Sequence, residues 1–186
     1  MTIRAIIGTV AVLGGLGVLE QSVDASTGQA GSCKATQTYA LMRSGETIAV
    51  RAQPTPEAAV VGTIAAPTGG SDLAASAVTL NSSQSGWARI ALGSTANFRP
   101  AGGGRRDQTI FGWIPADLLT VDSRVEGPIT TYTRPGLLGH ATGQIADQDM
   151  KFRVLGCRGE LLQVINASIG NIWIDRWCSK AEGCRG

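Results

Sequence analysis

The chain has 186 residues, 43% of them hydrophobic and 16% charged, with 25 glycines and a formal charge of +2. These figures exclude wholesale disorder and long charged helices or coiled coils, and so small a charge does not advertise nucleic acid. With His140 as its one histidine, the chain cannot build a multi-histidine metal site.

Residues 1–30 read as a signal peptide. Arg4 is the only charge ahead of an apolar run over 5–19. That run is shorter than the roughly 20 apolar residues a spanning helix needs. Small and polar residues follow, with cleavage sites at Val23-Asp24-Ala25 and Gly28-Gln29-Ala30. An uncleaved anchor is the alternative. All four cysteines, Cys33, Cys157, Cys178 and Cys184, lie beyond this stretch. An even count in an exported chain reads as disulfides. Four cysteines allow three pairings, and the sequence does not select one. Cys157–Cys178 with Cys33–Cys184 is favoured: the first ties neighbouring strands, and the second staples the start of the mature chain to its end. No Cys-x-x-Cys pair exists, so a metal site is disfavoured and no cofactor is expected. The expected location is periplasmic or secreted, without a membrane span in the mature form.

Beyond residue 35 helical periodicity is missing. Short β-favouring runs bounded by turn residues take its place, over 47–51, 60–65, 73–80, 87–92, 110–114 and 118–121. Their order then repeats. Val60-Val61-Gly62-Thr63-Ile64-Ala65 is echoed by Ala141-Thr142-Gly143-Gln144-Ile145-Ala146. Trp87-Ala88-Arg89-Ile90 is echoed by Leu161-Leu162-Gln163-Val164, and Gly112-Trp113-Ile114-Pro115 by Ile172-Trp173-Ile174-Asp175. The polar stretch 122–128, with Gly127-Pro128, is the seam. The expectation is an all-β chain of two modules, 36–122 with long loop insertions and 128–186 with most of the cysteines. Modules this small bury little core and need staples.

This pattern resembles the bacterial Src homology 3 (SH3-like) domain family. The residues that carry the likeness are Val50-Arg51-Ala52-Gln53-Pro54-Thr55-Pro56, Val60-Val61-Gly62-Thr63-Ile64, Gly86-Trp87 and Gly112-Trp113, with Pro115-Ala116-Asp117-Leu118-Leu119 as a one-turn helix. The second copy is looser: Tyr132-Thr133-Arg134-Pro135 opens it, Leu161 holds the first aromatic site, and Asn171-Ile172-Trp173 replaces the second Gly-Trp. Its Val154-Leu155-Gly156-Cys157 and Trp177-Cys178 resemble a cysteine-bearing envelope subtype. The resemblance implies two tandem small β-barrels that bind without catalysis, holding peptidoglycan, its peptide stems or a protein partner.

Catalytic constellations are sparse. His140 sits in a polar Gly-His-Ala loop without a nucleophile in reach of the pattern, and no Gly-x-Ser-x-Gly elbow exists. Asp147 and Asp149 mark a solvated loop. Gly102-Gly103-Gly104-Arg105-Arg106 lacks the ending of a phosphate loop, so Arg105 and Arg106 read as steering charges on the 93–109 insertion. The aromatic candidates are Trp87, Trp113, Tyr132, Trp173 and Trp177, residue types that stack on sugars or close over peptides. Trp87, Trp113 and Trp173 have a rival reading as core. The expected function is an exported, noncatalytic protein recognising peptidoglycan or another envelope ligand. A periplasmic or secreted protein–protein adaptor or inhibitor acting through the 93–109 loop is the alternative.

Overall fold

The computed structural model describes residues 31–68, 73–91, 97–103, 110–136, 139–146, 149–181 and 183–184. The expected signal peptide, Arg105 and Arg106 lie outside them.

The chain is all-β. Its strands are β1 (Gly31–Arg43), β2 (Thr47–Arg51), β3 (Val60–Ala65), β4 (Leu73–Gln84), β5 (Trp87–Ala91), β6 (Phe98–Pro100), β7 (Phe111–Pro115), β8 (Leu119–Asp122), β9 (Ile129–Tyr132), β10 (Ala141–Ile145), β11 (Lys151–Arg158), β12 (Leu161–Asn166) and β13 (Gly170–Ile174). The expected one-turn helix is a 3-10 turn over Ala116–Leu118, between β7 and β8. All thirteen strands join one antiparallel sheet in the order β10-β9-β13-β12-β11-β8-β1-β4-β5-β7-β2-β3-β6. Among the described residues the sheet does not close on itself.

Alternation decides the faces. In β5, Ala88 and Ile90 are buried while Arg89 is exposed; in β11, Phe152 and Val154 are buried between exposed Lys151 and Arg153. Ser85 (φ 48°) and Gly86 (φ 80°) turn β4 into β5 in two residues, both left-handed, as a tight hairpin of this twist requires.

The repeat seen in the sequence returns as a repeat of register. The sheet orders β4-β5-β7-β2-β3 and β11-β12-β13-β9-β10 are the same. Leu80 pairs with Ile90 and, after a bulge, Ser82 with Arg89; Val154 pairs with Val164 and, after a bulge in the same place, Gly156 with Gln163. Arg51 faces Trp113 as Tyr132 faces Trp173, and Val50 faces Gly62 as Thr131 faces Gly143. A bulge is a designed feature of a strand pair, so its recurrence is a specific match. Between the halves, β1 beside β4 and β8 beside β11 pair antiparallel with each other. A two-fold axis between them would produce that arrangement. Ser83 and Cys157, equivalent positions, touch: the Cys157 amide donates to Ser83 Oγ at 2.8 Å.

One contiguous apolar cluster draws on both halves, including Val50, Ile64, Ile90 and Ile114 from the first and Phe152, Val154, Leu162 and Ile174 from the second. β1 contributes Ala40 and Met42, β8 Leu119 and Val121. The sequence reading began the first module at 36 and missed β1, whose first half (Gly-Ser-Cys-Lys-Ala-Thr-Gln-Thr) is polar and lacks alternation.

The favoured disulfide pairing is wrong: the bonds are Cys33–Cys157 and Cys178–Cys184. The unforeseen β1 is the reason. Its start runs along the β11–β12 turn, where Lys34 N–H donates to Gly159 O and Gly159 N–H to Ser32 O, both at 2.9 Å. Cys33 thereby lies beside Cys157, with Cα atoms 5.6 Å apart. Cys178 is held by two backbone hydrogen bonds to Asp122 of β8, away from Cys157, and Cys184 folds back to donate to Arg124 O. Two disulfides suggest an oxidising, extracytoplasmic environment.

Candidate functional site

Strand register gathers the first-half candidates on one face. Trp113 lies opposite Arg89 and Arg51, and Pro115 opposite Trp87, so all five share the side of the sheet turned from Ala88, Ile90 and Ile114. Both tryptophans are half-buried rather than core. The Arg89 guanidinium stacks 4.7 Å above the exposed Phe111 ring. A groove of about 500 Å³ opens beside Trp87, lined also by Arg51, Pro56, Pro115, Glu46 and Leu118. Arg51 Nη1 donates to Ala58 O at 2.8 Å, which holds the turn carrying Pro56 against the sheet. Pro56, Glu46 and Leu118 were not foreseen; only the turn-rich Gln53-Pro54-Thr55-Pro56 hinted at a loop there.

In the second half Trp173 lies opposite Tyr132 and Gln163, and all three are half-buried. Trp173 and Gln163 line a cavity of about 420 Å³ that also takes in Arg158, Pro135 and, from the first half, Gln84 and Ser85. Register places Tyr132 at the position of Arg51, so Arg134, the arginine of the second opening motif, lies two residues beyond it. Trp177 stands apart. No helix carries it, and its Nε1–H donates to Gln37 O at 3.3 Å. It clasps the start of β1 beside a cavity of about 440 Å³ lined by Lys34, Glu160, Asp175 and Arg176. The structure thus brings together Trp87 with Trp113, and Tyr132 with Trp173.

The seam holds the densest electrostatics. Asp122 is fully buried and receives Arg124 Nε and Nη2 at 2.9 Å each, the Arg124 amide at 2.8 Å and Lys151 Nζ at 3.0 Å. Burial works to raise the Asp122 carboxyl, but these hydrogen bonds hold it below the ordinary carboxylate range. Lys151 is pushed up against its own burial by the same carboxylate. Burial raises the phenol of Tyr39, while Lys151, whose Nζ lies 5.9 Å over its ring, works to lower it. Arg124 and Lys151 also donate to Ala181 O at 2.7 and 3.0 Å, so the cluster fixes the loop of the Cys178–Cys184 bond. This is a structural knot rather than an open site.

His140 is exposed, and Asp149 is exposed and paired with Arg124 at 3.3 Å. Asp147 lies outside the described residues. Among the described residues no three His, Cys, Asp or Glu side chains gather as a metal site would require, and no helix is long and apolar enough to cross a membrane. Of the 93–109 insertion, Phe98–Pro100 forms β6 with Phe98 buried; 93–96 and 104–109 lie outside the described residues. No protein-family model matches the chain, and no curated protein matches its sequence.

Proposed function

We propose that this is an exported, noncatalytic binding protein built from two SH3-like modules, and that the groove beside Trp87 receives an envelope ligand, the peptide stems of peptidoglycan first among them. The observation that carries the reading is this groove: an indole and two prolines give apolar contact, while Arg51 and Glu46 supply opposite charges. That composition suits a short extended peptide with ionised groups. Five strands repeated in register, each half with a half-buried tryptophan at its centre, support the two-module reading.

The test is retention of the oxidised mature chain on insoluble peptidoglycan at low and high salt. Retention should survive high salt, because aromatic contact is not screened, and Trp87→Ala should abolish it while the far-ultraviolet circular dichroism stays unchanged. Absence of retention, or equal retention by the folded variant, overturns the reading.

A further inference from the structure

The two ends of the sheet are finished differently. In the first half β3 is covered by β6: Ile64 pairs with Phe98, Thr63 with Arg99, and Gly62 with Pro100. Phe98 is buried, and a Cβ added to Gly62 would fall 2.4 Å from its ring. Gly62 is therefore explained, since no side chain fits beneath that ring.

In the second half β10 is the terminal strand, and no strand lies outside it among the described residues. Ala141, Thr142, Gly143 and Gln144 are all exposed. Gly143 matches Gly62 in register, yet a Cβ there would meet only Thr131 Oγ1 at 3.6 Å, an ordinary contact. Its backbone is not left-handed either. A bulge lies between Ala141 and Gly143, but Gly143 lacks the left-handed backbone that makes a bulge demand glycine, and no contact among the described residues requires it. A glycine inside a strand weakens it and often marks a bulge, a bend or a site where a ligand or another backbone approaches closely.

We infer that β10 is a docking edge that takes an extended segment of a partner protein as an added antiparallel strand, its aromatic side chain laid across Gly143 as Phe98 lies across Gly62. Main-chain hydrogen bonds along the open edge supply affinity, and the space over Gly143 supplies selection. The register of β6 sets the occupant: an aromatic residue opposite Ile145, then two residues, the second opposite Gly143. β10 itself is uncharged, so shape rather than charge selects. A second copy pairing edge to edge fits poorly, because β10 has no aromatic side chain to offer; residues 1–30 contain none either. This edge is separate from the groove beside Trp87 and does not rest on it.

The probe is a synthetic peptide of residues 97–103, Asn-Phe-Arg-Pro-Ala-Gly-Gly, titrated to millimolar concentration into the oxidised mature chain labelled with nitrogen-15. Saturable amide shifts and slowed hydrogen exchange at 141–145 are expected. Replacing the peptide's phenylalanine by alanine, or Gly143→Val in the protein, should each weaken binding about tenfold or more, with thermal stability of the variant unchanged or raised. No response at β10, or an undiminished response in Gly143→Val, overturns the proposal. So does a concentration-dependent dimer that protects 141–145 without peptide, which would assign the edge to a second copy.

Discussion

Gly62 and Gly143 occupy the same register position in the two halves, one beneath the Phe98 ring and the other meeting only Thr131 Oγ1 at an ordinary contact distance among the described residues. The rest of the comparison follows that pattern. The scaffold is shared strand for strand, including a bulge, and the differences sit where each half meets something else. The first half covers its own edge with β6 and carries the groove. The second has no strand outside β10 among the described residues and shares both disulfides with its surroundings, Cys157 reaching back to β1 and Cys178–Cys184 sealing the seam. Repetition fixes the frame, and departures from repetition show where contacts differ.

The largest break in that frame should come from the bond that joins the halves. Cys33–Cys157 spans 124 residues and Cys178–Cys184 only 6. In the chain-entropy account the first contributes about 5 kcal/mol and the second about 2. Chemical denaturation of Cys33→Ala/Cys157→Ala and Cys178→Ala/Cys184→Ala variants should show that ranking. Equal losses would mean that the short loop does more than restrain the unfolded chain, through the Arg124 and Lys151 contacts to Ala181.

Asp122 comes next. Removing one member of a buried ion pair leaves its partners without their charge, and Asp122→Ala should cost about 3 kcal/mol. Acid tests the same group. The folded carboxyl titrates below its unfolded value of about 3.9, so its stabilisation is complete above that pH and is lost as pH falls through the folded pKa. The urea midpoint of the native chain should fall more steeply than that of Asp122→Asn between about pH 5 and pH 2. Parallel curves would mean that other carboxylates carry the acid sensitivity.

What the sequence made legible follows from where a residue's partners lie. β2 and β3 were read with their observed bounds, and β5 and β7 to within one residue, because alternation and turn residues are local. β1 was missed because its burial comes from β8 and β4 on either side, which permits the consecutive buried run Thr38-Tyr39-Ala40. The cysteine pairing failed with it. Asp122 read as part of a polar seam because its ligands lie 2 and 29 residues away. Trp87, Trp113 and Trp173 were visible at repeated strand positions and Tyr132 at the opening of the second copy, but the groove was not, since Glu46, Pro56 and Leu118 reach it from separate segments. Likewise Gly62 and Gly143 look alike in the repeat, and only the neighbour above them separates the two.

That pair gives the next prediction. Gly62→Val drives a branched side chain into Phe98 and should destabilise by about 2 kcal/mol. Gly143→Val places its Cβ at an ordinary 3.6 Å contact with Thr131 Oγ1 and gains β propensity, so it should be neutral or stabilising by about 0.5 kcal/mol. Thermal melts of the two variants compare the sites directly. A large loss at Gly143 would mean that something already covers β10 in the free chain.

The smallest effect separates the two tryptophan faces. Trp173 and Tyr132 are direct cross-strand neighbours, and aromatic pairs in this arrangement couple by about 1 kcal/mol. Trp113 faces Arg51 in the same register, but that guanidinium donates to Ala58 O and is committed to the Pro56 turn. Double-mutant cycles should therefore find coupling of about 1 kcal/mol in the Trp173→Ala/Tyr132→Ala square and about 0.3 kcal/mol or less in the Trp113→Ala/Arg51→Ala square. The first result would mean that the second-half indole is already partnered. The second would leave Arg51 to the Pro56 turn and to the groove beside Trp87, where the binding is assigned. Strong coupling in the first half instead would tie Arg51 to Trp113 rather than to the groove beside Trp87, and would shift the binding assignment toward the Trp173 cavity.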